Sequence, residues 1–402
     1  MSEFRVNSIT NQDGGAGPQV CGVSTFSGKS GIQIPSGPTE FRRQDGGGRG
    51  RGVVGGGRDA SNPHVDTMDF IEIATAGNAT DFGNLSDGGR DYPAGCGSAT
   101  RGIFFGGSEP GFRNIIDFVI MSSSGGANDF GDMIIAPLTN FALSNATRGI
   151  TAGGLTAPTP SYTTNNSIEF ITIASTGDAS NFGDLTESNA AAATCASPTR
   201  GIFNQGSVPT YKKTIEFITI ATLGNATRFG ESSKAGAGAP MGASSTTRGV
   251  FAGGQFDNPY PQTDIIDFIT IATEGNAQDF GDLTVARSSF GGGSNATRGL
   301  FASGFANPTN YNVIDFITIA TQGNATDFGD TLQTGVHNTG TACSQTRALF
   351  AGGYVSPTPS TNIISFATIA TTGDAADFGD LTVAGSLGND GAASDVNGGI
   401  QQ

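Results

Sequence analysis

Seven arginines recur along the chain, Arg51, Arg101, Arg148, Arg200, Arg248, Arg298 and Arg347, each opening a short apolar run. Between 16 and 21 residues after each comes an acidic residue beside a phenylalanine: Asp69, Asp117, Glu169, Glu216, Asp267 and Asp315, with Ser365 in the seventh copy. Charged groups on strands need partners once buried. The spacing therefore predicts structural Arg-to-carboxylate pairs within or between repeats. A ring of arginines that binds an anion is the alternative, and neutralising Arg248 separates the two: one unit is destabilised under the first, and folding is intact under the second.

Other groups with chemical potential are sparse. The segment around Asp279 and Asp282 sets two carboxylates three residues apart beside Gly and Asn, as calcium loops do. The fourth copy has Arg228 and Glu231 there, and one short turn rarely supplies six oxygens, so hydrogen bonding within a turn is expected. His64 and His337 fall at unrelated places in their units, which leaves no histidine-based metal cluster or nucleophile relay to assemble. No carboxylate spacing marks a glycosidase pair. No catalytic, cofactor or metal site is expected, and the chain is read as non-enzymatic. Of the cysteines, Cys21, Cys96, Cys195 and Cys343, the last three sit at equivalent places in different repeats, too far apart in a radial fold to form disulfides, and read as buried thiols.

The repeat that positions these residues has two conspicuous elements. One is the IDFITIAT-type strand, whose central phenylalanines (Phe70, Phe118, Phe170, Phe217, Phe268, Phe316 and Phe366) lie 47 to 52 residues apart. The other is the TRGLFASG-type strand that carries the arginine. With a small-residue strand before them (DGGG at Asp45, GCGS at Gly95, GGGS at Gly291) and an ATDFGDLT strand after, each unit reads as four strands. No segment keeps a 3.6-residue apolar period, so helix is expected to be scarce. In the third strand, Ile266 and Phe268 lie on one face and Asp267, Ile269 and Ile271 on the other. Both faces are largely apolar, as a sheet sandwiched between two others requires. Small sheets packed around an axis satisfy this, and small side chains suit their crowded innermost strands. Close approach of a ligand in a central channel is the alternative use of those glycines. The predicted fold is all-β: a seven-bladed β-propeller over residues 41–385, an extended arm over 1–40 with short strands at VNSIT and GIQIP, and a tail over 386–402 that covers the seam.

The paired glycines Gly106–Gly107, Gly153–Gly154, Gly253–Gly254 and Gly352–Gly353, the Asp–Phe step at Asp267 and Phe268, and an aromatic about 12 residues later resemble the kelch repeat. Where kelch units usually place Trp, this chain has Phe82, Phe130, Phe182, Phe229, Phe280, Phe328 and Phe378, and it contains no Trp. The wording of the repeat is similar to that of repeat proteins of tailed bacteriophages, especially marine phages of cyanobacteria, and the segment FRVNSITNQDGG resembles leader segments of phage tail and fibre proteins. That resemblance implies a virion structural protein of the tail, neck, fibre or capsid, made in the host cytoplasm and present in multiple copies. Residues 1–40 would dock on other virion proteins, and the loops between second and third strands, such as LTAPTPSYTTNNS and QFDNPYPQTD, would contact host surface glycan or protein. A soluble lectin or adaptor is the competing class, and an elongated β-solenoid shaft the competing architecture.

Composition fits these expectations. With 20 basic and 35 acidic residues, the net charge of −15 disfavours nucleic-acid binding. Arg42, Arg43, Arg49, Arg51 and Arg58 make one end locally basic, suited to an acidic partner or to a solvated edge. No signal-peptide core and no bilayer-length apolar run is seen.

Overall fold

The computed structural model describes residues 50–59, 64–108, 111–156, 163–204, 206, 212–233, 241–256, 261–333, 336–337, 339–355, 360–385 and 392–394. The arm over 1–40, Cys21, the DGGG run at Asp45, Arg42, Arg43, Arg49 and the middles of several long loops lie outside them.

Every regular element among the described residues is a β-strand, and the strands form seven four-stranded antiparallel sheets and two short two-stranded pairings, Phe305–Ala306 with Thr309–Asn310 and Val336–His337 with Tyr354–Val355. In blade 5 the order from inside out is Met241–Ser244, Arg248–Ala252, Ile265–Thr270 and Gln278–Asp282, each strand paired with the next in sequence. Blades 2, 3, 4, 6 and 7 repeat that order. Their inner strands, Ala94–Gly97, Phe141–Ser144, Ala193–Ala196, Met241–Ser244, Gly291–Ser294 and Gly340–Cys343, each neighbour the next, and Ala392–Ser394 closes the circle between the last and the first. The architecture is a seven-bladed β-propeller.

Blade 1 shows how the circle closes. Its second strand, Arg51–Gly55, pairs on the outside with Thr67–Glu72 and on the inside with Ala392–Ser394, with Val53 opposite Ala393. The inner strand of the first blade thus comes from the C-terminal end of the chain. Ala393 is fully buried beside Val53, Met68 and Phe104.

Burial on both faces of the third strand follows from the ring. Ile266 and Phe268 of blade 5 pack against Ile317 and Ile319 of blade 6. On the other face, Ile269 and Ile271 pack against Ile215 and Phe217 of blade 4. Seven such clusters fill the seven junctions, including blade 7 against blade 1 through Leu349, Ile364, Ile71 and Ile73. Burying large apolar side chains on both sides of every blade at ~25 cal/mol per Å2 makes these junctions the main stabilising term.

The small inner strands pack closely against their neighbours round the ring. A Cβ on Gly242 would lie 2.4 Å from the Thr194 carbonyl oxygen, and one on Gly293 would lie 2.2 Å from Cys343 Sγ. At these positions neighbouring blades, not a ligand, take the space the glycines leave. Cys96, Cys195 and Cys343 are buried on inner strands and form no disulfide; burial pushes the Cys96 and Cys343 thiols up to about 12 and the Cys195 thiol higher still. They are inert as nucleophiles at neutral pH.

Candidate functional site

The seven arginines do not meet the acidic residues the sequence pairs them with. Register is the reason. Arg248 lies opposite Thr270, the last residue of the third strand, whereas Asp267 lies opposite Phe251. Residues 248 and 251 are an odd number apart, so their side chains leave opposite faces of the sheet. The same holds in the other blades with an acid: Arg51 against Asp69, Arg101 against Asp117, Arg148 against Glu169, Arg200 against Glu216 and Arg298 against Asp315.

Each arginine instead stacks its guanidinium on the phenylalanine of its own third strand. Arg248 Cζ sits 4.6 Å above the Phe268 ring, and the seven distances run from 4.3 to 4.8 Å. That ring meets the outer-strand phenylalanine edge to face, as Phe268 meets Phe280 at 5.8 Å. From this stack Nη1 reaches into the following blade and donates to a backbone carbonyl: Arg248 to Ile319 at 3.0 Å, Arg298 to Ile369 at 2.9 Å and Arg347 to Ile73 at 3.1 Å. Arg51, Arg101, Arg148 and Arg200 do the same toward Met121, Ile173, Ile220 and Ile271. The bonds run once round the ring, blade to blade. Two arginines also meet carboxylates on the same end of the blades, Arg51 with Glu72 at 2.6 Å and Arg200 with Glu274 at 3.8 Å.

The acidic residues face the preceding blade and bind the turn that follows its outer strand. Asp69 accepts from the Thr382 N–H at 2.8 Å and hydroxyl at 2.6 Å; Glu169 accepts from the Ile134 and Ile135 N–H groups; Glu216 and Asp267 accept from Thr186 and Ser233. Burial pushes all four carboxyls above the ordinary carboxylate range, against the pull of these hydrogen bonds. At two junctions a linker arginine joins in: Arg90 with Asp117 at 2.5 Å and Arg287 with Asp315 at 2.8 Å, all nearly or fully buried. Sequence reasoning missed these cations, although both stand four residues ahead of an inner strand, Ala94–Gly97 and Gly291–Ser294.

The GNATDFGD segment makes a third set of junctions. Asp81, Asp129, Asp327 and Asp377 each accept from the N–H of the glycine two residues on, which is turn hydrogen bonding. The hairpin between third and outer strands lies along the outer strand of the preceding blade: Gly323 N–H donates to Phe280 O at 2.8 Å and Ala325 N–H to Asp282 O at 2.8 Å. Asn324 Oδ1 accepts from Asp282 N–H as well. The exposed sheet edge is thereby paired. It also explains the glycine of DFG. A Cβ on Gly281 would stand 2.5 Å from the Gly323 backbone, and its φ of +143° suits glycine alone.

At the opposite end of the blades lie the connections between second and third strands and the linkers into each inner strand. Their stems are tied together by isolated bridges, Leu138 with Leu155, Asp91 with Ser108 and Ser288 with Phe305. The middles of the long loops fall outside the described residues. The same end holds a charged cluster absent from the repeat pattern. Buried Asp91 accepts from Arg58 Nε and lies 3.3 Å from His64 Nε2. Burial pushes its carboxyl up, with Arg58 and then His64 pulling against it. Arg58 and His64 flank the loop of blade 1, so the cluster pins that loop to the next linker. His337 also belongs to this end, in a two-residue pairing with Tyr354.

The fold has solved counterparts. A chain described as "Structure of YjhT" superposes with a TM-score of 0.53 over 65% of this chain and 91% of that one, at 12% identity. At that identity the likeness is one of fold. No family model and no curated protein matches the sequence.

Proposed function

We propose that the chain is a non-enzymatic structural component of a virus particle, in which the propeller is a rigid platform and its loop-bearing end contacts host glycan, host protein or another virion subunit. What carries this reading is the division of labour within each blade. Three sets of inter-blade bonds hold the ring, through the arginines, the buried carboxylates and the outer hairpins. The connections from second to third strand carry the variation in length, from 106–114 in blade 2 to 153–166 in blade 3. Variable loops on a rigid repeated scaffold are the usual arrangement for recognition. The resemblance of the repeat wording to tailed-phage proteins supports the virion setting, with residues 1–40 as the docking arm.

Purified particles probed with an antibody against the propeller test this directly. A constant number of copies per particle, kept through gradient purification, supports the reading. Recovery in the soluble fraction alone contradicts it and leaves a free glycan- or protein-binding propeller as the function.

A further inference from the structure

Each repeat arginine is only partly used by the junction it holds. Stacking on phenylalanine takes one face of the guanidinium, and Nη1 donates to the carbonyl of the following blade. That leaves the edge formed by Nε and Nη2, the fork that matches a carboxylate with two parallel hydrogen bonds. At Arg101, Arg148, Arg248, Arg298 and Arg347 neither atom of the fork has a partner among the described residues, and both reach solvent.

The molecule itself indicates what the fork takes. In blade 1, Glu72 stands opposite Arg51 in register, and its Oε1 accepts from Nε at 2.6 Å. At Arg200 the carboxylate comes from elsewhere, Glu274 in the hairpin of the next blade, whose Oε1 lies 3.8 Å from Nη2. Two unrelated positions thus bring a glutamate to the same edge. The five open forks have an acid at neither place. Opposite them stand Ile120, Thr172, Thr270, Thr318 and Thr368. The hairpin positions that match Glu274 hold Thr176, Leu223, Gln322, Thr372 and Ala76.

Charge on this end of the blades is sorted by distance from the axis. The described turns that join inner to second strands, from 98–100 to 344–346, hold no charged residue. The hairpin acids Asp178 and Asp374 instead accept from the N–H groups of Asp132 and Asp330 on outer strands. The cations therefore lie toward the axis and these acids toward the rim. We propose that this end, opposite the loop-bearing one, docks an acidic protein partner whose glutamates enter the open forks. Both carboxylates seated from within arrive on flexible glutamate stems, among exposed hairpin residues. A carboxylate fixed to a sugar ring has less reach, which favours a protein over an acidic polysaccharide. One such fork at a partly exposed surface is a weak site; five on a rigid ring act together. The surface stands whether or not the chain belongs to a virus particle.

The test is binding of a fluorescently labelled polyglutamate peptide to the full chain at physiological ionic strength, where charge is screened beyond about 8 Å. Saturable binding is expected. In the fourfold variant Thr172→Glu, Thr270→Glu, Thr318→Glu and Thr368→Glu, each new carboxylate faces its arginine as Glu72 does. Its half-saturating concentration should rise at least about tenfold, the worth of a charge-assisted hydrogen bond. The fourfold variant Asn78→Asp, Asn225→Asp, Asn276→Asp and Asn324→Asp adds equal charge at the rim, at side chains whose Oδ1 accepts there already. Its half-saturating concentration should rise less than about threefold. Polygalacturonate at equal carboxylate concentration should compete poorly. Absence of saturable binding, equal weakening by the two variants, or tighter binding of polygalacturonate than of polyglutamate overturns the proposal. Should the threonine variant fail to fold, Glu274→Ala, which opens the Arg200 fork, must tighten binding more than Asp279→Asn, an equal change of charge on the outer strand; an equal or smaller effect overturns it as well.

Discussion

At one end of the blades the turns are uniform. In blades 2 to 7 three residues join inner to second strand, as at 98–100 and 295–297, and in all seven blades seven join third to outer strand, as at 73–79 and 319–325. At the other end the second-to-third connections range from 106–114 to 153–166. The difference has a physical cause. Each short turn at the uniform end is engaged: Ser98, Asn145, Ser197, Ser245, Asn295 and Ser344 accept from the N–H of the arginine three residues on, and the hairpin glycines bond the preceding blade. An added residue there would displace a neighbour. At the variable end the described stems are tied by isolated bridges, and lengthening a loop between tied stems costs little, about 0.6 kcal/mol per doubling.

Breaking the ring should have the largest effect. Deleting 386–402 removes the inner strand of blade 1 and uncovers Val53 and Met68, so a loss of about 4 kcal/mol or more is expected in denaturant unfolding. Next comes the uniform end itself. Gly281→Ala forces a Cβ into the Gly323 backbone at a φ of +143° and should cost about 3 kcal/mol, whereas Gly111→Ala, in a second-to-third connection with open space around it, should change stability by less than about 0.5 kcal/mol. Arg248→Ala removes the stack on Phe268 and the bond to Ile319 O; about 2 kcal/mol should be lost, and Arg248→Lys should recover little of it because the planar stack is gone. An unchanged midpoint for Arg248→Ala would favour the anion-binding ring.

Asp267 gives a pH test of the carboxylate junctions. Its folded pKa is raised by burial, so its contribution to stability is fully present below the unfolded value, near 4, and is lost as pH rises through the folded value. Unfolding midpoints should therefore fall more steeply above pH 4 in the unaltered protein than in Asp267→Asn. The smallest effect belongs to the variable end. Replacing 257–260 by a Gly/Ser segment of equal length should shift stability by under about 0.5 kcal/mol while abolishing any binding that uses that loop.

The blade count, the strand order and the burial of both faces of the third strand were legible because they follow from two-residue alternation and a repeat of near-constant length. The arginine partners were not. Equal spacing along the chain says that Arg248 and Asp267 belong to neighbouring strands, but the side on which each emerges depends on register, and one residue of shift exchanges the faces. The tail over 386–402 was read as covering the seam, but that Ala392–Ser394 would be the inner strand of blade 1 was not, since a three-residue strand of small side chains carries little pattern. His64 and Asp91 belong to no repeat position, and only the folded linker brings them together. The DFG glycine was visible in every copy, yet its reason lies in the backbone of another blade.

The ring depends on each hairpin between third and outer strands being bonded to the blade before it. Hydrogen exchange of the turn amides measures this most directly, because Gly177, Gly224, Gly275, Gly323 and Gly373 are exposed yet donate across a junction. Their exchange should be slowed to the rates of the neighbouring outer strands. Exchange at the rate of free turns, with the strands protected, would show seven blades held by their apolar faces alone and would contradict the inter-blade bonding described above.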